Sequence, residues 1–260
     1  MSDNKHEFTK DEINTYLSEL AKKFKKLNGT KMPGEIIIVG GAAILLQYDF
    51  RKQSQDIDGI IKSSSVMRDA INFVADKYDL PRGWLNTDFT KTKSYSPGLY
   101  MHSKYYRTFS NILEVRIINP ECLIAMKLVA GRNYKYDYSY IIGILKEQQV
   151  KNETISYEQI VNAVEELYGP YDTVISQDGR DFLQEVFESE NLDDLYNKYF
   201  VTAMENKKNL TEFEKHYPGV LNEENLSEIM NNLHSKDNNI PSSVLEQKDS
   251  DYELENDMEI

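Results

Sequence analysis

The segment 36–61, IIIVGGAAILLQYDFRKQSQDIDGII, constrains this chain more than any other. Residues 36–39 are apolar and β-branched and read as a strand that runs into Gly40 and Gly41. A short apolar stretch to Tyr48 reads as a helix, and a polar turn follows. A second strand, 56–61, carries Asp56 and Asp58, bracketed by Ile57, Ile60 and Ile61. Residues two apart in a strand point to one face, so the two carboxylates are expected side by side. Their repulsion and desolvation are costly and need compensation. A divalent cation supplies it, and Mg²⁺ (or Mn²⁺) takes one or two carboxylates together with substrate phosphates. Gly40 and Gly41 lack side chains, so a phosphate can approach the backbone where a helix presents its free N–H groups. The competing reading is ordinary ion pairing of the two aspartates with Arg51, Lys52 or Lys62.

The remaining pattern frames that segment. Thr9 and Glu12 have capping-box spacing and open a helix whose apolar positions are Ile13, Tyr16, Leu17, Leu20 and Phe24. A helix capped by Ser63, Ser64 or Ser65 carries Met67, Ala70, Ile71, Val74 and Tyr78. Residues 80–98 read as a loop, 99–102 with 105–109 as a short hairpin, and 111–118 as a strand. Pro120 opens a helix, and 136–148 read as another. This order predicts an α/β (α+β) fold: a mixed sheet flanked by helices. Beyond residue 150 the pattern is helical, with a cap at Ser156, a break at Gly169-Pro170 and helices at 179–189, 192–206 and 221–234. The expected plan is an α/β domain 1–150, a helical C-terminal region 151–234, and a disordered acidic tail 235–260.

Charge divides along the same line. Residues 1–150 hold 22 Lys and Arg against 17 Asp and Glu; the rest hold 8 against 26. The first part suits a polyanion, and the second suits a basic surface or simple solubility. No apolar run is long enough to cross a membrane, the N-terminus is too polar for a signal peptide, and no membrane partner is expected. The one cysteine, Cys122, lies in an apolar helical pattern and reads as buried and inert. A cytoplasmic protein is the expectation. The four histidines show no metal-ligand spacing.

Four stretches together resemble a known family. Gly40-Gly41, then Ser54-Gln55-Asp56-Ile57-Asp58, then Trp84-Leu85-Asn86, then the 119–128 segment NPECLIAMKL resemble a bacterial nucleotidyltransferase-like family of the polymerase-beta-like superfamily, related to abortive-infection nucleotidyltransferase toxins. The resemblance covers roughly residues 30–145. It implies a sheet of the minimal nucleotidyltransferase type and transfer of a nucleotidyl group from NTP to an RNA or protein hydroxyl. It also implies a toxin-antitoxin or phage-defence setting with a cognate protein partner. Asp56 and Asp58 would bind metal, and Glu114 would be the third acid, as proton acceptor or metal ligand. Lys127 would neutralise phosphate charge, and Arg132, Lys135 and Asp137 would contact substrate. Ser54 would order the loop before Asp56 by bonding to backbone. Each has a plainer reading: Glu114 paired with Arg116, Lys127 snorkelling to the surface. Tyr140 stands where the family pattern would place a second acid after Asp137. That departure leaves a second expectation open, an inactive nucleotidyltransferase fold that acts as an antitoxin-like binding partner.

Overall fold

The structure is a computed structural model that describes residues 6–30, 32–132, 136–222, 225, 226, 229, 230 and 232. Two compact units are present: Met1–Gly131 with Tyr140–Leu192, and Arg132–Ser139 with the chain from Asp193 onward. Helices expected in a separate C-terminal region, up to Leu192, therefore group with the α/β part, and the division does not fall at residue 150. The expected tail 235–260 and most of the 221–234 helix lie outside the described residues.

In the first unit, five strands form one mixed sheet among the described residues: β1 (Gly34–Ile38), β2 (Ile57–Lys62), β3 (Leu85–Asn86), β4 (Ser103–Phe109) and β5 (Leu113–Ile118), in the order β3-β2-β1-β5-β4. β1 pairs antiparallel with β2 and parallel with β5; β3 runs parallel to β2, and β4 antiparallel to β5. Ile36, Ile38, Ile57, Leu113, Val115 and Ile117 are buried on one face. Helices α1 (Lys10–Asn28) and α3 (Val66–Tyr78) cover it, and a Cβ placed on Gly34 would stand 3.1 Å from both Phe24 and Met67. The Thr9–Glu12 capping box forms as predicted, satisfying backbone N–H groups at the start of α1. The opposite face carries Glu35, Ile37, Asp58, Ile60, Lys62, Glu114 and Arg116, which are in register across β2, β1 and β5. This polar face is where chemistry can be presented.

Helix α2 (Gly40–Gln47) follows β1 directly. Helix α4 (Pro120–Ala130) starts with Pro at its first turn and ends where Gly131 turns left-handed (φ 60°). It is buried nearly all round, and α6 (Tyr157–Tyr168), opened by a Ser156–Gln159 capping box, packs on it. α5 (Asp137–Val150), the short α7 (Tyr171–Val174) and α8 (Gln177–Glu188) complete the helices up to Glu188. In the second unit, α9 (Leu192–His216) outruns its predicted end by ten residues. Tyr136 and Tyr138 pack on its Phe200 and Tyr199, and Leu210, Phe213, Val220, Ile229 and Met230 form a small core.

Two sequence readings are corrected. The hairpin is β4 with β5, not 99–102 with 105–109: residues 97–101 form a 3-10 turn, and the reversal comes at Ser110 and Asn111, both left-handed (φ 52° and 54°). The loop at 80–98 also contains β3, too short to show a strand pattern.

Candidate active site at the start of the second helix

Gly40 takes φ +62°, a conformation that costs a side chain dearly and glycine nothing. The chain can therefore leave β1 and enter α2 without a gap. The N-cap of α2, Val39, offers no side-chain acceptor, so the first N–H groups of this helix receive no side-chain cap. Asp58 stands beside them. Val39 N–H donates to the Asp58 carbonyl at 2.9 Å, and a Cβ on Gly40 would lie 3.4 Å from Asp58 Oδ2. A carboxylate at the positive end of a helix is electrostatically favoured.

Asp56 lies one residue ahead of β2, not within it as expected. It is exposed, Ile57 is fully buried and Asp58 half-buried, the alternation expected when both aspartates face away from the core. The loop before them is firmly tied. Ser54 Oγ donates to the Asp56 carbonyl at 3.0 Å, the backbone bond expected of it. Ser54 also pairs through its backbone with Phe8 (2.6 and 2.9 Å). Phe8 belongs to an aromatic cluster with Tyr16 and Trp84, and the Trp84 carbonyl accepts from Ile57 N–H at 2.8 Å. Among the described residues, Arg51, Lys52 and Lys62 make no ion pair with either aspartate. Arg51 bonds elsewhere, and Lys62 lies over the Tyr100 ring.

Glu114 shares Asp58's face of the sheet but not its end. Glu114 is in register with Glu35 on β1, whereas Asp58 is level with Val39. Four residues along a strand are about 13 Å, and two strand spacings add roughly 10 Å across. The carboxylates cannot share a cation over that span. Glu114 instead binds Arg116 at 3.1 Å, the plainer of its two readings, so its expected role as third ligand or base is corrected. Extending the register places Ile118 of β5 level with Asp58, and on the other side β3 sets Asn86 directly beside it. Neither is an acid. Asn86 belongs to the Trp84-Leu85-Asn86 stretch but was assigned no role in the sequence; its side chain accepts from Asp88 N–H and donates to the Gly83 carbonyl, which fixes the loop beyond β3.

Lys127 does not snorkel. It is 7 % exposed near the C-terminal end of α4, where a cation suits the helix dipole. Its Nζ lies 4.9 Å from the centre of the Tyr140 ring, and the Arg51 guanidinium carbon lies 4.8 Å from the same centre. Arg51 also stands against Gly41. A Cβ on Gly41 would be 2.7 Å from Nη2 and 2.8 Å from Cζ and Nη1. Gly40, Gly41, Arg51, Asp58, Lys127 and Tyr140 thus form a linked set within the first unit. Arg51 was read in the sequence only as a counter-ion, and Tyr140 only as a departure from pattern. Arg132 and Asp137 pair with each other at 2.9 Å in the second unit, with Asp137 buried; Lys135 lies outside the described residues.

Among the described residues no three His, Cys, Asp or Glu side chains gather into a metal cage. Asp58 beside Gly40, with Asp56 two residues ahead of it, is a donor set that would fit a cation whose other ligands come from a phosphate substrate. Cys122 is buried, and burial pushes its thiol up to about 12, so it takes no part at neutral pH. No helix among the described residues is long and apolar enough to cross a membrane.

The model of the family described as nucleotidyltransferase of unknown function (DUF6036) matches residues 15–207, which spans the sheet, the glycine pair, both aspartates and Lys127. The chain belongs to that family. No curated protein and no solved structure matches it.

Proposed function

We propose that the family's nucleotidyltransferase chemistry resides at the start of α2, and that the chain transfers a nucleotidyl group from an NTP to a hydroxyl of an RNA or protein acceptor. The observation that carries this reading is the Asp58 carboxylate packed against Gly40 at an uncapped helix start, in a chain of a nucleotidyltransferase family. Bound Mg²⁺ or Mn²⁺ would stabilise charge on the phosphates as the bond to pyrophosphate breaks. Asp56 and Asp58 would hold that cation, and the phosphates would lie at the start of α2, where the missing side chain of Gly41 admits the Arg51 guanidinium. Lys127, buried and already fixed, would offset their charge without reorganisation. A toxin-antitoxin or phage-defence role with a cognate partner follows from the sequence resemblance and is part of the proposal.

A second reading has its own support. The neighbouring-strand positions level with Asp58 are Asn86 and Ile118, and Tyr140 replaces an expected acid. No side chain among these can take the acceptor's proton as a carboxylate would. On this reading the protein binds nucleotide or a partner without transferring anything. Mg²⁺-dependent incorporation of labelled NTP into total RNA or protein separates the two. Incorporation that vanishes in Asp58→Asn supports transfer. Nucleotide binding with no incorporation for any of the four NTPs supports the binding protein.

A further inference from the structure

We propose that Arg51 is the residue that grips the triphosphate of the nucleotide. This rests on the proposed nucleotide site at Gly40 and Gly41. It assigns a role to a side chain outside both the glycine pair and the aspartate pair.

The first observation is how firmly a loop residue is held. Glu147 of α5 accepts from the backbone N–H groups of Asp49 (2.9 and 3.2 Å) and Phe50 (2.9 Å). Phe50 presses so closely on the same helix that a Cβ on Gly143 would meet its ring at 2.8 Å. Tyr140, one turn earlier in α5, lies against the guanidinium itself. The helix therefore fixes the segment before Arg51 at successive points and supplies a π surface for its head group. A cation held over an aromatic face keeps its charge and loses mobility, so little entropy remains to be lost when an anion binds.

The second observation is what the guanidinium does not do. Arginine has five N–H donors. Nε donates to the Gln53 carbonyl at 2.7 Å, and Nη2 makes a longer contact of 3.4 Å with Ser54 Oγ. Among the described residues the other donors have no acceptor, and Arg51 forms no ion pair. Both Nη atoms lie against Gly41. A purely structural arginine spends its fork on carbonyls or carboxylates. This one keeps the edge that matches two phosphate oxygens turned toward the glycines. The placement also puts a second cationic group at the positive end of α2, which favours an anion there beyond the single carboxylate of Asp58.

The test is titration of the full chain with each NTP, its NMP, and inorganic triphosphate, all with Mg²⁺, in wild type, Arg51→Ala, Arg51→Lys and Gly41→Ala. Gly41 has helical backbone, so an added methyl leaves α2 intact and displaces only the guanidinium; this variant keeps the test valid should Arg51→Ala unfold. The expected result is a loss of about tenfold or more in triphosphate affinity for Arg51→Ala and Gly41→Ala, a smaller loss for Arg51→Lys, and no change in NMP affinity. Wild type that binds inorganic triphosphate but no NTP would leave Arg51 standing and remove the nucleotide reading. Wild type that binds NTP with unchanged affinity in folded Arg51→Ala would overturn the role of Arg51 and leave the nucleotide reading intact. Binding of neither probe by wild type overturns both.

Discussion

The polar face of the sheet has two ends, and they use the same kinds of residue to opposite effect. At one end Glu114 and Arg116 sit on one strand and neutralise each other at 3.1 Å, with Arg116 also bonded to Ser103 Oγ at 2.9 Å. At the other end Asp58 faces a helix start, and Arg51 and Lys127 lie over one aromatic ring, that of Tyr140. Charges already matched within the fold have little left for a ligand. Arg51, which forms no ion pair among the described residues, keeps its charge for one. Position on a common face says nothing of function until the level along the strand is known.

The largest effect should separate the two carboxylates. Asp58→Asn is expected to lower Mg²⁺-dependent nucleotide binding or transfer by at least about 100-fold. Glu114→Gln should stay within roughly twofold of wild type, as a part-exposed pair away from Asp58 does little. Equal losses in folded variants would erase the distinction between the ends. Next comes Lys127→Met. It removes the charge but fills the same buried space, so NTP affinity should drop about tenfold in a variant that still folds. A variant that melts earlier and binds normally would make Lys127 a structural residue.

Asn86→Asp asks whether the missing acid limits the site. It keeps the acceptor used by Asp88 N–H and adds a carboxylate level with Asp58. Mg²⁺ affinity should tighten by roughly two- to fivefold, since ligand charge tunes cation binding. No change would mean that Asn86 points past the cation.

The smallest effect concerns Glu12, a carboxylate committed wholly to the fold. Hydrogen bonds from Thr9 hold its carboxyl below the ordinary 4.5. The folded value is lowered, so the stabilisation is present above about pH 4.5 and fades as pH falls through the folded value. Glu12→Gln should flatten that part of the stability–pH curve, cost about 1 kcal/mol at neutral pH, and leave nucleotide binding unchanged. A shift in nucleotide affinity would link the first helix to the site.

What the sequence revealed follows the range of the physics. The Thr9–Glu12 cap, the glycine-to-helix turn, the Pro120 start and the tie of Ser54 to Asp56 all involve groups within a few residues of each other, and all are present. Lys127 was visible as a cation in an apolar helix, though its burial was not. Glu114 failed because its level on the sheet depends on the parallel pairing of β5 with β1, a strand far away in the chain. Arg51 and Tyr140 failed for the same reason. Their meeting requires α5 to lie along the loop that follows α2, and neither segment carries a periodic signal for it.

The backbone pairing of Phe8 with Ser54 has a practical side. The loop that carries Asp56 is held in part by a bridge to Phe8, a residue well outside the sheet. A fusion partner or affinity tag joined just ahead of Phe8, or trimming up to Thr9, would slacken the aspartate loop from outside. The resulting protein would keep its sheet and its helices, pass every check of secondary structure, and be mistaken for one with a chemical defect.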